Sequence, residues 1–291
     1  FGTFTTDQLR ALTGDQIASL STDQINALSS SKLNALEVGD IAQMTTTQVA
    51  AITAAMVPNL STGFVVALTG NQIASLTTSQ MGVISSADLN AIELADLPSL
   101  TSTQVNALNT NTLRTLGTTQ LQALSGAVIT GLTIANLSTT QVAALSNDQV
   151  SALTTGSIAG LSSTYLQALT AGELQTMNST QVQAITTAQV KQLSTSQIAS
   201  LGVTVMANMS TDQVNALTTS QVGYLSNAVV TNVSTDKVAA LSTGQVAKLT
   251  ATQMTVLNTN QLATIGTTGV TALNSTQLNT LNATQLTGFN T

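Results

Sequence analysis

The sequence repeats every eight residues, and this period constrains the fold more than any other feature. The consensus of each eight-residue unit, here called an octad, is S/T–S/T–x–Q–V/I/L–x–A–L. Residues 21–28 (STDQINAL) are a typical copy, and residues 138–145 (STTQVAAL) and 210–217 (STDQVNAL) resemble it closely. A short repeat that fills a chain indicates an architecture in which each unit packs mainly against its neighbours.

The octads fall into two runs. With Thr5 as position 1, sixteen octads occupy residues 5–132 and nineteen occupy residues 138–289. Position 5 is aliphatic in every octad, and position 4 is Gln in 20 of the 35. Such regularity leaves no room for a conventional domain.

A five-residue remnant, residues 133–137 (TIANL), separates the two runs. We therefore predict a solenoid over residues 1–132, a phase break at 133–137, and a continuation of the same rod over 138–291. Because the remnant keeps two apolar residues but has no cap of its own, we also predict a single longer helix over 125–137.

Eight residues do not match the period of a continuous α-helix. They turn a helix by about 800°, so an apolar face would drift by roughly 80° in each repeat. The octad must therefore contain a break, and its residue types locate that break. With Ser or Thr at position 1 as the N-cap, Gln at position 4 becomes the third helical residue, which is the spacing of a capping box. The apolar residues at position 8 and at position 5 of the next octad have the spacing of a hydrophobic staple.

The predicted fold is an all-α solenoid of very short helices, one in each octad, forming a rod. Helices this short are unstable alone, since isolated helices need about 12–15 residues, so positions 5, 7 and 8 must stack into a shared core. The alternative is a β-solenoid, because Thr and Val favour strands; the apolar spacing of three and then five residues argues against it. The structural capping residues that we predict, in the three typical octads, are Ser21, Gln24, Ser138, Gln141, Ser210 and Gln213.

The number of octads in each turn stays open at this point. Irregular octads begin at Gly202 and Ser226, 24 residues apart, which suggests three in each turn. Pro58 and Pro98 are 40 residues apart and do not support that spacing, so two, three or a non-integral number are all allowed. Both prolines occupy position 6, where a helix would lose a backbone hydrogen bond, and we expect a late or distorted helix there.

The composition argues against catalysis and against several kinds of partner. The chain has no His, Cys or Trp, and only 6% of its residues are charged. Catalytic triads and most zinc sites need residues that are missing, so we predict no enzyme, no catalytic residue, no cofactor and no metal site. The six basic residues are far apart, which argues against nucleic-acid binding, and no apolar run is long enough to span a membrane.

Two polar columns have competing interpretations. Asp7, Asp15 and Asp23 occupy position 3 of successive octads. They could bind cations, but an acid at a helix start is also favoured by the helix dipole, which is the simpler explanation. The Gln column could bind a ligand along one face of the rod. Capping explains that column more economically, because Gln lies three residues after the Ser or Thr.

The repeated phrase, as in residues 45–52 (TTTQVAAI) and 138–145 (STTQVAAL), resembles the repeat tracts of very large secreted bacterial proteins described as adhesin-like or surface proteins. The resemblance covers essentially the whole chain. It implies an extracellular or cell-surface location and a structural or adhesive role. It brings no catalytic residues with it.

The two ends of the sequence suggest self-association. The first and last octads keep apolar core residues, and Phe1, Phe4 and Phe289 lie beside them as candidate self-association residues. An uncapped solenoid end invites a head-to-tail contact, which propagates into a filament; the ends could also be covered by further repeats of a longer solenoid.

We therefore expect a structural extracellular protein that forms a filament, sheath or surface layer as a head-to-tail homopolymer. The alternative is a stalk or spacer of a giant bacterial adhesin. A glycan-binding module is a third hypothesis, which the 2% aromatic content disfavours. The dense hydroxyl groups leave glycans, covalent or bound, as possible partners.

Overall fold

The computed structural model describes residues 3–290, with only the backbone for Asn290. It divides into two compact units, Phe1–Ala152 and Leu153–Thr291. In both units the described residues form short helices and no strand. The fold is thus an all-α solenoid, and the β-solenoid alternative is excluded over residues 3–290.

The first unit contains one short helix in almost every octad. Its α-helices are α1 Thr6–Arg10, α2 Gly14–Ala18, α3 Thr22–Asn26, α4 Ser30–Leu33, α5 Val38–Gln43, α6 Thr46–Ala51, α7 Thr62–Val66, α8 Gly70–Ser75, α9 Thr78–Met81, α10 Ser86–Ala91, α11 Ser102–Ala107, α12 Thr110–Leu113, α13 Thr118–Ala123, α14 Gly126–Gly131, α15 Thr139–Val142 and α16 Asn147–Ser151. Its 3₁₀-helices are η1 Val57–Asn59, η2 Leu97–Ser99 and η3 Ile134–Asn136.

The second unit has the same pattern. Its α-helices are α17 Thr155–Ala159, α18 Ser163–Ala168, α19 Ala171–Thr176, α20 Ser179–Ala184, α21 Thr187–Val190, α22 Thr195–Ala199, α23 Val203–Asn208, α24 Thr211–Asn215, α25 Thr219–Tyr224, α26 Asn227–Asn232, α27 Thr235–Ala239, α28 Thr243–Val246, α29 Ala251–Val256, α30 Thr259–Thr271, α31 Ser275–Asn279 and α32 Ala283–Thr287. A 3₁₀-helix, η4 Gly288–Asn290, follows them. Helix α30 comprises two octads joined across Gly266, which has a positive φ of 68°.

Each helix ends because the chain becomes extended at the junction of two octads. Leu108, at position 8, has φ −59° and ψ 141°, and Thr45, at position 1, has φ −71° and ψ 154°. These extended residues turn the chain away from the helix axis, and the hydroxyl at position 1 then caps the next helix. No residue other than Gly needs a positive φ anywhere in the described chain. Ordinary L-residues can therefore build every corner except the one at Gly266.

Three octads complete one turn in each unit. In the first unit α3 packs on α6 and α11 packs on α14; in the second, α17 packs on α20 and α22 packs on α25. Each of these pairs is three octads apart. This finding resolves the question that the sequence left open in favour of three.

The core of each unit is formed by positions 5 and 8. Position 7, which we also expected in the core, is exposed or half-buried in most octads. Position 5 is buried in every octad from Leu9 to Leu262, and most position-8 residues are buried with it. Apolar residues that are alternately three and five residues apart therefore fill the interior of a turn with three sides. A continuous helix would not bring these residues to one side.

The predicted single helix over 125–137 is wrong. Helix α14 stops at Gly131, Leu132 is extended with ψ 137°, and the remnant forms the separate 3₁₀-helix η3. Leu132 is buried like the other position-8 residues, and Ile134 and Leu137 are buried after it. A continuous helix would carry these three side chains to different faces, so burying them requires the chain to turn. The remnant acts as one shortened side of a turn, because α14 packs on α16.

The proline octads show the expected distortion. Pro58 and Pro98 are the second residues of the 3₁₀-helices η1 and η2, and turns precede both of these helices. A proline in the first turn of a helix loses little, since its missing N–H would have no intrahelical partner there. The helix in these octads starts late.

Among residues 3–290, no helix combines the length and apolarity that crossing a membrane requires.

Candidate functional site

The most distinctive chemistry of the molecule lies in the position-4 glutamines, which make two sets of hydrogen bonds. Gln104 shows the first set. The Gln104 Oε1 atom accepts from the Thr101 N–H at 2.8 Å, and the Gln104 N–H donates to Thr101 Oγ1 at 3.2 Å. This reciprocal pair is a capping box, and it fixes the start of α11.

The second set leaves the octad altogether. The Gln104 Nε2 atom donates to the carbonyl oxygens of Ile73 at 2.9 Å, Ala74 at 3.2 Å and Leu76 at 2.8 Å. Ile73 and Leu76 lie 31 and 28 residues earlier, at the C-terminal end of the helix four octads back. Those carbonyls have no partner within their helix or only one, so the amide satisfies acceptors that a helix C-terminus leaves open. One side chain thus caps the start of its own helix and the end of another.

Many other position-4 glutamines repeat this arrangement, and each of them is buried. Together they bond successive turns of each unit, and we call them the glutamine ladder. Its members are Gln48, Gln72, Gln80, Gln104, Gln141, Gln149, Gln181, Gln189, Gln197, Gln213, Gln221, Gln245, Gln253, Gln261, Gln277 and Gln285.

The structure places the six predicted capping residues in three capping boxes. The Ser21 N–H donates to Gln24 Oε1 at 2.8 Å, and the same bond measures 2.9 Å between Ser138 and Gln141 and 2.7 Å between Ser210 and Gln213. Gln141 and Gln213 also belong to the ladder. Gln24 does not, because its octad lies in the first turn and its Nε2 atom has no carbonyl partner among the described residues.

The ladder continues across the remnant with an adjusted spacing. Gln141 Nε2 donates to the carbonyls of Leu113 and Leu116, which are 28 and 25 residues earlier instead of 31 and 28. Gln149 has the same shortened spacing to Leu121 and Leu124. The difference of three residues equals the length that the remnant lacks relative to an octad. The remnant therefore keeps the ladder in register while it interrupts the sequence repeat.

Some position-6 side chains make hydrogen bonds to residues later in the chain, whereas the ladder glutamines bond to earlier ones. Asn34 Nδ2 donates to the Asn59 carbonyl, 25 residues later, and Asn34 Oδ1 accepts from the Ser61 N–H. Asn106 makes the same pair of bonds with Gly131 and Thr133. These amides join a helix to the corner of the following turn. The octad of Gln104 and Asn106 is thus bonded through position 4 to the turn before it and through position 6 to the turn after it.

Glu173 is the single glutamate at position 4, and it changes the chemistry of the ladder. Its carboxylate accepts from the Thr170 N–H as a glutamine would, but an ionised carboxylate has no proton to donate to a carbonyl. The side chain is buried. Desolvation by that burial raises the pKa of Glu173 above its ordinary value, against the lowering effect of the Thr170 hydrogen bonds.

We expect Glu173→Gln to remove a pH dependence of stability. A folded-state pKa raised above the unfolded value means that the native chain holds the proton more tightly. The stabilisation that comes from this proton is therefore complete below the pKa of Glu173 in the unfolded chain. It is lost as the pH rises through the pKa of Glu173 in the folded chain. Chemical denaturation of both proteins from about pH 4 upwards should show wild-type stability falling relative to Glu173→Gln. Asp212→Asn, which removes an exposed acid, is the control; parallel profiles for wild type and Glu173→Gln would contradict the prediction.

Lys237 is a second substitute at position 4. Its Nζ atom donates to the Ala207 carbonyl, 30 residues earlier, in place of the glutamine amide. Burial lowers the pKa of Lys237, and the charge of the adjacent Asp236 partly opposes that effect. A long side chain with a donor at its tip can therefore occupy a ladder position even without an amide.

The acidic column lies at exposed helix starts in the described chain. Asp7, Asp15 and Asp23 lie in the first turns of α1, α2 and α3, and all three are exposed. Among residues 3–290, no three acidic side chains come close enough together to hold a metal ion. Asp7 forms one exposed ion pair with Arg10 at 4.0 Å, and pairs of this kind contribute little stability.

The candidate self-association residues lie at the ends of the described chain. Phe4 and Phe289 are half-buried, and Phe1 lies outside the described residues. Phe289 lines a cavity of about 290 Å³ together with Ala263, Gly266, Thr267, Val270 and Thr271. This cavity is in the last turn of the second unit, beside the kink of α30.

The inter-turn role of glutamine was missed at the level of sequence, although one signal pointed to it. A capping box accepts Glu as readily as Gln at its third helical position, yet position 4 holds Gln in 20 octads and Glu in one. The capping function does not explain that preference. The need for an N–H₂ donor does.

The fold and the ladder define a helical repeat protein in which the repeats carry the hydrogen-bonding chemistry. In agreement, three stretches of the chain match the sequence model of the ALTTAQ repeat: residues 1–30, 89–126 and 193–227. Within the last of these, residues 216–221 read ALTTSQ. No curated protein matches the chain.

Proposed function

We propose that this protein is a structural component that assembles head to tail, through the two end surfaces of its solenoid, into a filament, sheath or surface layer. The observation that carries the proposal is the exposure of position 5. This position is buried in every octad up to Leu262, but Leu278 is 37% exposed and Leu286 is 44% exposed. Val270, in the octad before them, is half-buried. The last turn therefore presents the apolar residues that a following turn would cover.

The first turn exposes apolar residues at a different octad position from the last turn. Leu9, Ile17 and Ile25 are fully buried beneath the turn that follows them, whereas Leu12 and Leu20, at position 8, are half-buried. The two end surfaces therefore differ, and a contact between unlike surfaces is a heterologous one. Heterologous contacts that do not close into a ring generate filaments.

The remaining surface supports an extracellular structural role over catalysis. Its polar side chains are mostly hydroxyls and amides, and charged residues are only 6% of the chain. Interior cavities lined almost wholly by apolar core residues, such as the one between Val49 and Ile84, are about 20 Å³, too small for a substrate. The resemblance to repeat tracts of secreted bacterial surface proteins agrees with this role and with a location at the cell surface.

We expect the purified chain to form linear assemblies, visible by negative-stain electron microscopy and by sedimentation velocity. Leu278→Asp combined with Leu286→Asp places charges on the last turn and should leave only single molecules. Leu94→Asp is the matched control, because Leu94 is similarly exposed, at 49%, but lies in the first unit and outside its first turn. Assembly should survive that change. Single molecules of the wild-type chain at the highest soluble concentration would overturn the proposal.

A spacer within a longer adhesin is the second candidate, and one observation favours it. The ladder glutamines donate to main-chain carbonyls, which every octad offers whatever its sequence. Further octads could thus be added without any new kind of hydrogen-bond acceptor. This property suits a spacer, whose function is to provide length. A chain that stays single while a tandem fusion of two copies folds with twice the helical signal would favour the spacer.

A further inference from the structure

The glutamine ladder leaves unused donors at one end surface and unused acceptors at the other. Gln8, Gln16 and Gln24 form capping boxes like the ladder glutamines. Gln8 and Gln16 are exposed and Gln24 is half-buried, and their Nε2 atoms donate to no group in the described chain. In the later octads with a ladder glutamine, the same atom reaches the carbonyls of positions 5 and 8, four octads back.

The matching acceptors lie in the last turn. The carbonyls of Val270 and Leu273 occupy positions 5 and 8 of one octad, and those of Leu278 and Leu281 occupy the same positions of the next. The local geometry matches that of two carbonyls that do accept from a ladder glutamine. The Leu273 N–H to Val270 carbonyl distance is 3.1 Å, and the equivalent Leu20 to Ile17 distance, beneath Gln48, is also 3.1 Å. No ladder glutamine of the described chain reaches these four carbonyls.

The geometry points to a joint in which the glutamine ladder continues from one copy of this chain into another. Gln16 of one copy donates to the carbonyls of Val270 and Leu273 of a second copy, and Gln24 donates to those of Leu278 and Leu281. Gln8 lies over the octad before that of Val270 in the second copy, at Leu262 and Ile265. This inference rests on the proposed head-to-tail function, and it names the partner as a second copy and the chemistry as amide to main-chain carbonyl.

The same placement brings the apolar surfaces together. In each unit a helix packs on the helix three octads away, so the octads of Gln16 and Gln24 would cover Leu278 and Leu286. Asn279, at position 6 of its octad, would face the corner at Ser19 and Ser21, as Asn34 faces the corner at Asn59 and Ser61. The donors of one surface thus meet the acceptors of the other in a single register. Two first turns brought together would present donors to donors.

The test is a Gln8→Glu, Gln16→Glu and Gln24→Glu variant. Glutamate keeps the capping box, because its carboxylate still accepts from the position-1 N–H, as Glu173 does. It removes the donor and sets a negative charge against carbonyl oxygens. We expect unchanged helical content by circular dichroism and an association constant lowered by more than about 100-fold, measured by sedimentation at neutral pH.

A pH rescue separates lost hydrogen bonding from damaged folding. Below about pH 4 the carboxyl groups are protonated and can donate again, so the variant should approach the association of wild type at the same pH. If the wild-type chain assembles and the variant assembles equally well at neutral pH, the ladder joint is wrong while the proposed function stands. If the wild-type chain does not assemble at all, the proposed function fails, and the joint with it.

Discussion

Replacing Gln104 with alanine is expected to lower the free energy of unfolding by about 3 kcal/mol, the cost of leaving buried polar groups unpaired beside a new cavity. The Gln104 side chain is 3% exposed. Its loss deprives the Ala74 and Leu76 carbonyls of their amide donor and the Thr101 N–H of its acceptor. The Ile73 carbonyl keeps one bond, from the Leu76 N–H.

Gln16→Ala is the matched control in the same unit. Gln16 makes the same capping box with Thr13, but it is exposed and its Nε2 atom donates to no carbonyl of the described residues. We expect its replacement to cost less than about 1 kcal/mol, as the loss of a solvated cap does. Gln104→Glu, which keeps the cap and loses the donor, should resemble Gln104→Ala.

Denaturant titration gives the size of the Gln104 effect, and hydrogen exchange locates it. Repeat proteins are stabilised largely by contacts between neighbouring units, so faster exchange should centre on α8 and α11, the two helices that Gln104 joins. Equal destabilisation by Gln104→Ala and Gln16→Ala would show that capping alone explains the glutamine column.

Leu166→Ala is expected to lower the free energy of unfolding by about 2–5 kcal/mol, the range for deleting a fully buried leucine. Leu166 lies in α18, at position 5 of its octad, and is 0% exposed. The change removes apolar contacts and leaves a cavity. A narrow solenoid has little other core with which to compensate, because each turn contacts mainly its neighbours.

Leu286→Ala makes the same chemical change at the same octad position in the same unit. Leu286 is 44% exposed in the last turn, so its replacement should cost less than about 1 kcal/mol in a dilute solution of single molecules. Thermal denaturation followed by circular dichroism compares the two variants. The proposed assembly adds a second readout, since Leu286→Ala should weaken association at high concentration. A large loss of stability in dilute Leu286→Ala would indicate that this leucine is already covered within one chain.

The helix starts were predictable because the interactions that form them are local. A capping box joins residues three apart, so Ser21 and Gln24 could be paired from the sequence alone. The helix lengths followed from the same argument, since an apolar spacing of three and then five residues cannot continue along one helix face. The prolines at 58 and 98 were correctly expected to delay or distort their helices for a similar reason.

The remnant shows where local reasoning failed. Residues 133–137 have helix-compatible side chains and no new cap, so a longer helix over 125–137 was the local expectation. The structure instead turns the chain at Leu132, because Leu132, Ile134 and Leu137 are all buried in the core. The gain from burying three apolar side chains outweighs the few backbone hydrogen bonds that helix continuation would add.

The sequence by itself determined the octad: its capped start, its buried positions 5 and 8 and its short length. Only the tertiary structure decided that three octads complete a turn, and this number sets which carbonyls lie beneath each glutamine amide. The bonds from Gln104 to Ile73 and Leu76 span 31 and 28 residues, and no local preference specifies such a distance. Because the acceptors are main-chain atoms common to every octad, they leave no trace in the residue types. The glutamine column was visible in the sequence, but its partners were not.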